Sequence, residues 1–393
     1  MIIVILKQKL TTSSSFRAVM KSFLITCLSY NLSKKSPTHT TILNWVHKIG
    51  YHELNKKKEF ADDWIIIVDD SIQIGQEKVL VILGVREKNL KFEKPLNFQD
   101  IVVLREISKN KWNGEIVLSE IDKLKKEIGN IKYAVGDYGS YIKKAIKLAG
   151  IRHIHDITHS IALFLEQIFN KCDDYKGFSE SIAKLRLEVQ QSDIAEIMPP
   201  QQRLKSRYLN LKPLSDWGIK IINLFDKRKL SNKMRDKLEF IKSYKPIIED
   251  INEINLCISE IEKILKYDGL SKNSINKCDK ILNNLKSEKG LLFKEKITEY
   301  FKDMKNLIPE SEKVLCCSDI IESAFGRYKN YISNNKMLGI TNLVLCIAAF
   351  TSKLEENDVI EALEKTTIGD IKKWTKENIG KTLLKKRIEL FAY

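Results

Sequence analysis

The sequence predicts an α/β fold, a mixed sheet in the order 3-2-1-4-5 that carries a large all-helical insertion and follows a helix-turn-helix-like region. Three observations lead there. Three strand-length apolar runs stand between residues 62 and 107, helical and strand periods alternate from 114 to 170, and past Cys172 the strand signal stops for about 135 residues. At 393 residues and 43% hydrophobic composition, the chain is long enough for two or three cores.

The elements follow in order. Residues 13–30 read as an amphipathic helix with Phe16, Val19, Phe23, Leu24 and Leu28 near helical spacing, and a polar break at Asn31 to Lys35 follows. Ser36-Pro37-Thr38 offers N-cap chemistry before a second helix, His39 to Lys48, whose Ile42, Trp45, Val46 and Ile49 form one apolar face ending at Gly50. Its other face shows Thr38, His39, Thr40, Thr41, Asn44 and Lys48, which makes it a candidate for a DNA major groove; a plain helical hairpin is the alternative. From Asp62 the period becomes that of strands: Trp64 to Asp69, Lys78 to Arg86 and Ile101 to Ile107, with turns at Gly75 and near Pro95. Next come a helix over 114–128, a strand over 131–135, a helix over 140–148, a strand over 151–155 and a helix from His159 to about Asn170. An antiparallel meander followed by right-handed crossovers is the ribonuclease H-like arrangement.

Beyond Cys172 the helical pattern breaks mainly at Pro199-Pro200, Pro213 and Pro246. Ile248 to Leu265 and Ile275 to Phe301 repeat Ile and Leu at helical spacing, as a helical stalk would. The expected divisions are 1–60 as a DNA-binding region, 61–171 as the first part of a catalytic core, 172–313 as the insertion, and 314–393 as the rest of the core with C-terminal helices.

Lysine and arginine outnumber aspartate and glutamate 67 to 51, a formal +16, which favours a polyanionic partner. A Lys-, Asn- and Ile-rich composition also follows from A·T-rich coding. Seven cysteines form no CxxC pair, so a disulfide framework is not expected. The opening MIIVILKQKL has no basic region before its apolar run, and no segment approaches the roughly 20 apolar residues of a membrane span. The expected compartment is the cytoplasm, with no membrane partner.

Two acids stand out. Asp69 closes the first strand and Asp137 follows the fourth, and in this sheet those strands are parallel neighbours about 4.8 Å apart. Their C-terminal ends flank the point where strand order reverses, where open α/β sheets bind ligands. Two acids there repel unless a cation lies between them. Oxygen-only ligands suit magnesium or manganese, and two such ions roughly 3.5–4 Å apart activate an attacking oxygen while stabilising a leaving one. A third acid is then expected on a helix over the strand ends. SDIIESAFGRYKNYIS supplies Glu322, with Asp319, Phe325 and Lys329 on the same general face; a surface helix with solvated charges is the alternative. In the insertion Arg203, Lys205 and Arg207 adjoin Tyr208 and precede Trp217, a grouping that suits phosphate contact, with Trp217 read as core.

The blocks WIIIVDDSIQIGQEKVLVILGV, KYAVGDYGSYIKKAI, HDITH and SDIIESAFGRYK resemble those of bacterial insertion-sequence transposases of the aspartate-aspartate-glutamate (DDE) class, over about residues 62–170 and 314–335. The resemblance implies that Asp69, Asp137 and Glu322 are the catalytic, metal-binding triad. A hydroxyl residue commonly follows the first acid at i+2, here Ser71, which favours Asp69; Asp70 is its rival. The class often places a helical insertion between the second and third acids. Glu322 and Lys329 are spaced as in the best-known cut-and-paste enzymes, with Arg327 and Lys329 as DNA contacts, although Leu315 and Ser318 stand where a tyrosine and an arginine accompany them. Asp156-Ile157-Thr158-His159 resembles a motif at the fifth strand's end linked to handling of the DNA flank. For its residues, zinc held by His153, His155, His159 and Cys172, or packing at a helix N-terminus, are the rival readings.

The function so implied is transposition. Metal-dependent hydrolysis at the ends of a mobile element frees a 3′-hydroxyl, which attacks target DNA, with double-stranded DNA as partner and a homodimer expected because two ends are handled together. The alternatives are a nuclease of the same fold without strand transfer and a DNA-binding regulator derived from a transposase.

Overall fold

The computed structural model describes the chain apart from residues 33–34, 73–76, 203–207, 209–210, 228–229, 311, 333–338 and 393. The chain divides into two compact units, Met1–Ile154 with Ser318–Tyr393, and His155–Cys317.

The first unit opens with three helices, α1 (Ile2–Thr11), α2 (Phe16–Ser29) and α3 (His39–Asn55). The opening apolar run is thus a helix that buries Ile5, Leu6 and Leu10. Strands β1 (Ala61–Ile72), β2 (Lys78–Arg86) and β3 (Val102–Lys109) follow, then α4 (Gly114–Ile128), β4 (Gly129–Gly136), α5 (Ser140–Leu148) and β5 (Arg152–His155). The sheet runs β3-β2-β1-β4-β5, antiparallel between the first three strands and parallel between β1 and β4. The predicted order is therefore the observed one. The turn expected at Gly75 lies outside the described residues.

Local chemistry sets the elements around the site. Asn113 caps α4 by accepting the Ile116 N–H at 2.9 Å. Val117, Ile121, Leu124 and Ile128 then fall on one stripe and pack on Ile66, Val68, Leu80 and Ile82 of the sheet. Each such side chain contributes about 1.5–3 kcal/mol on burial. At Gly129 the chain turns with φ +94°, and a Cβ there would lie 2.2 Å from the Ala61 carbonyl oxygen, so only glycine lets β4 begin beside β1.

The second unit is built of helices α6 (Ile157–Phe169), α7 (Asp173–Val189), α8 (Leu211–Asp226), α9 (Asn232–Leu238), α10 (Lys245–Asp268), α11 (Lys272–Leu282) and α12 (Glu288–Leu307), with one bridge between Leu270 and Val314. It starts at His155, earlier than residue 172, because α6 packs on α10 and α12. Pro213 and Pro246 lie in the first turns of α8 and α10, where a missing N–H costs nothing, so they start helices. The run from Ile275 to Phe301, with its helical spacing, is divided between two helices: Ser287 caps α12 by accepting the Gly290 N–H.

The chain then returns to the first unit with α13 (Asp319–Ile332), α14 (Cys346–Phe350), α15 (Glu356–Lys365), α16 (Ile368–Asn378) and α17 (Leu383–Phe391). Helix α13 packs on β1, and α3, α14 and α16 pack on β3. No helix among the described residues is long and apolar enough to cross a membrane. None of the seven cysteines is in a disulfide.

Candidate active site

Alternation along β1 sorts its two terminal aspartates onto opposite faces of the sheet. Trp64, Ile66 and Val68 belong to the core beneath α4 and α5, so Asp70 faces that side and Asp69 the other, with Ile65, Ile67 and Ser71. The register agrees. Asp70 stands opposite Leu80 of that same core, whereas Asp69 stands opposite Val81, which stands opposite Glu106. Tyr328 of α13 lies within electrostatic reach of Glu106, and α14, on which α13 packs, also packs on β3, which places α13 over the Glu106 side. Asp69, Val81 and Glu106 thus form one row on the face that α13 covers.

The parallel ladder brings the second acid in. Ile67 pairs with Val135 and Val68 with Gly136, the last residue of β4, so Asp69 and Asp137 each follow the last paired position of the two strands. Asp137 Oδ1 accepts the Gly139 N–H at 2.8 Å, forming the tight turn into α5. A Cβ at Gly139 would lie 2.8 Å from that same oxygen, which a side chain would displace.

Asp70 is otherwise engaged. Lys78 Nζ lies 3.1 Å from its Oδ1 and donates to its Oδ2 at 3.2 Å, and the same ammonium donates to Tyr141 Oη at 3.2 Å. Burial raises the Asp70 carboxyl, Lys78 pulls it back, and the charge of Asp137 adds to the rise. Asp70 and Asp137 are therefore within electrostatic reach of each other, with Lys78 balancing the former.

Glu322 lies exposed in the first turn of α13, beside the buried stripe Ile321, Ala324, Phe325 and Tyr328. Its helix rests on β1. Among the described residues no three His, Cys, Asp or Glu side chains are gathered closely enough to hold a metal ion. The zinc set of His153, His155, His159 and Cys172 is likewise not assembled.

The remaining sequence candidates separate. Lys329 is exposed, its Nζ 5.9 Å from the Phe325 ring. The Arg327 guanidinium sits 4.4 Å over Phe98 and donates to the Leu10 carbonyl, which ties α13 to α1. Helix α3 is not a free recognition helix: it packs against α1, α2, β3, α14, α15 and α16. Thr38 caps it through the Thr41 N–H, and Lys48 donates to the Leu363 carbonyl at 2.7 Å. His39, Thr41 and Asn44 are half-buried, so the face read as groove-facing is open mainly at Thr38 and Thr40. In the second unit Asp156, fully buried, caps α6 by accepting the His159 N–H at 2.7 Å and lies 3.0 Å from His159 Nδ1, the helix-terminus packing reading. Arg203, Lys205 and Arg207 lie outside the described residues.

Sequence reasoning missed Lys78 and Glu106. Each had a signal, a charged residue at a strand position whose parity points to a covered face.

No protein-family model matches the chain, and no characterised sequence does. Among solved structures, the Drosophila P element transposase strand transfer complex is similar at 11% identity and a TM-score of 0.42, covering 84% of this chain and 88% of that one. That score is too low to bear on function.

Proposed function

We propose that this chain is a DNA transposase that cleaves phosphodiesters at element ends with magnesium or manganese and joins the freed 3′-hydroxyl to target DNA. The observation that supports the reading is that Asp69 and Asp137 each follow the last paired residues of the parallel strands β1 and β4, while α13, the helix that carries Glu322, packs on β1.

The donor set suits the ions. Carboxylate oxygens alone favour hard divalent cations, and three acids supply the negative charge that two ions balance. Like-charged carboxylates repel one another until such a cation lies between them. Asp69, Asp137 and Glu322 would hold the ions, which when bound activate an attacking oxygen and stabilise the leaving one. The protein's own part is placement. The β1–β4 ladder fixes two acids, the Gly139 turn orients Asp137, and Lys78 keeps Asp70 from competing. Lys329, seven residues beyond Glu322, is positioned to meet a backbone phosphate as a point charge.

The test is an oligonucleotide assay with purified protein, magnesium and the ends of the surrounding genetic element. The expected products are a cut at the end and a labelled strand joined to target plasmid. Cutting without joining would leave a nuclease, and DNA binding without cutting would leave a regulator.

A further inference from the structure

A cavity of about 1070 Å³ in the first unit lies not at the carboxylates but along β3, the outer strand of the sheet. Residues Leu104–Lys109 form its floor, with the ends of α3 and α16 and one side of α4 as walls. Six strand residues span roughly 20 Å, over which one strand of B-form DNA presents about six phosphates.

Charge pairing inside this groove is uneven. Arg105 and Lys123 are met by Glu120 and Glu127, and Lys56 by Asp358. Lys58 turns its ammonium back onto the carbonyls that end α3. Glu106, at the floor, is buried, and burial raises its carboxyl well above the ordinary value. What remains is a surplus of one sign: Lys57, Lys109, Lys373 and Lys376 are all exposed and have no acidic ion-pair partner among the described residues. Against them stand Asp370, which caps α16, and Glu377. The unmatched lysines come from both walls and from the end of the floor, as an extended polyanion requires.

The groove is also linked to the acids. Glu106 belongs to the same cross-strand row as Asp69, two strand spacings or roughly 10 Å away.

We infer that the β3-edge groove is a second nucleic-acid contact, in which Lys57, Lys109, Lys373 and Lys376 hold the phosphate backbone of DNA beyond the segment at Asp69 and Asp137. This rests on the reading of the chain as a DNA-cutting enzyme. The contact is to phosphates and carries no base preference.

The experiment measures binding of a random-sequence duplex oligonucleotide by fluorescence anisotropy across a salt series. It compares the full chain, a Lys57→Ala/Lys109→Ala/Lys373→Ala/Lys376→Ala variant, and a control with the same charge change at the exposed Lys7, Lys21, Lys91 and Lys94. The groove variant is expected to lower the salt exponent by about 3, close to one for each lysine withdrawn from a phosphate, and the control by less than about 1. Equal exponents in the two variants would overturn the groove assignment while leaving the enzymatic reading intact. An unmodified chain that binds no DNA would instead defeat that reading and the groove with it. A groove variant unchanged toward DNA but deficient toward a polyglutamate peptide would reassign the groove to an acidic protein segment. Because a fourfold change can disturb folding, Lys109→Glu alone is run beside it, with an expected loss of the same sign at an unaltered melting temperature.

Discussion

Asp69 and Asp70 are neighbours in sequence and opposites in setting. Asp70 turns toward α4 and α5, where Lys78, itself held by Tyr141, engages it; Asp69 lies on the α13 face, just past the last residue of β1 that pairs with β4. The comparison teaches that side-chain parity, more than position along the chain, decides which of two adjacent acids can serve an ion. An acid already matched by a part-buried ammonium is costly to pull away, because the ammonium would be left without a counter-charge. Glu106, at the far end of Asp69's row, shows the third outcome: burial that raises the carboxyl well above its ordinary value.

Asp69→Asn, Asp137→Asn and Glu322→Gln should each reduce cleavage to background while leaving folding and DNA binding nearly intact, since a neutral amide cannot balance cations. Asp70→Asn should keep substantial cleavage. A dead Asp70→Asn beside an active Asp69→Asn would move the first ligand to the α4–α5 face.

A smaller effect is expected at Lys78. Lys78→Met should lower cleavage about 10- to 100-fold and raise the magnesium concentration needed for half-maximal rate, because an unmatched Asp70 then competes beside Asp137. Lys78→Arg should restore most of the loss. An unchanged magnesium dependence in Lys78→Met would show that the ion pair merely fastens β2 to β1.

The smallest effect concerns stability alone. The Glu106 carboxyl is raised well above 4.5 in the folded chain, so the native state keeps a proton that the unfolded chain releases above that pH. Its contribution is most favourable below pH 4.5 and is lost as pH rises toward the folded value. Glu106→Met, similar in volume, should be more stable than the parent at pH 8 by about 1–3 kcal/mol, with the difference shrinking toward pH 4. Urea denaturation at the two pH values measures it, and a constant difference would mean that Glu106 is not held neutral.

Much of the fold was legible because local chemistry and tertiary demand agree. The bounds of β2, α4 and α5 follow from the period of their apolar residues and, for α4, from Asn113 and Gly129. Disagreement arose where a residue's local meaning yields to packing. Gly50 reads as a helix terminator, yet α3 runs on to Asn55. Its missing side chain serves a close approach instead, since a Cβ there would lie 2.0 Å from the Leu345 carbonyl oxygen, a neighbour so distant in sequence that no local pattern reveals it. Lys48 looked like a groove-facing cation for the same reason, its acceptor being the distant Leu363 carbonyl. Of the site, the place of Asp137 just past β4 was readable from topology, whereas Asp69, read as closing β1, lies within a strand that runs on to Ile72. The engagement of Asp70 by Lys78 was not, because it depends on the register between β1 and β2.

The first unit is written in the gene as two pieces. Lys9 and Leu10 meet Tyr331 and Arg327, and Lys56 meets Asp358, so its early helices rest on residues from the last quarter of the chain. On a ribosome adding about 5–20 residues per second, the roughly 160 residues of the second unit take about 8–30 s to make. Throughout that interval the β1 and β3 surfaces destined for α13, α14 and α16 stand without their covers. The newborn sheet is thus exposed to aggregation for a time set by the length of the insertion, and chaperone demand during synthesis should track that length.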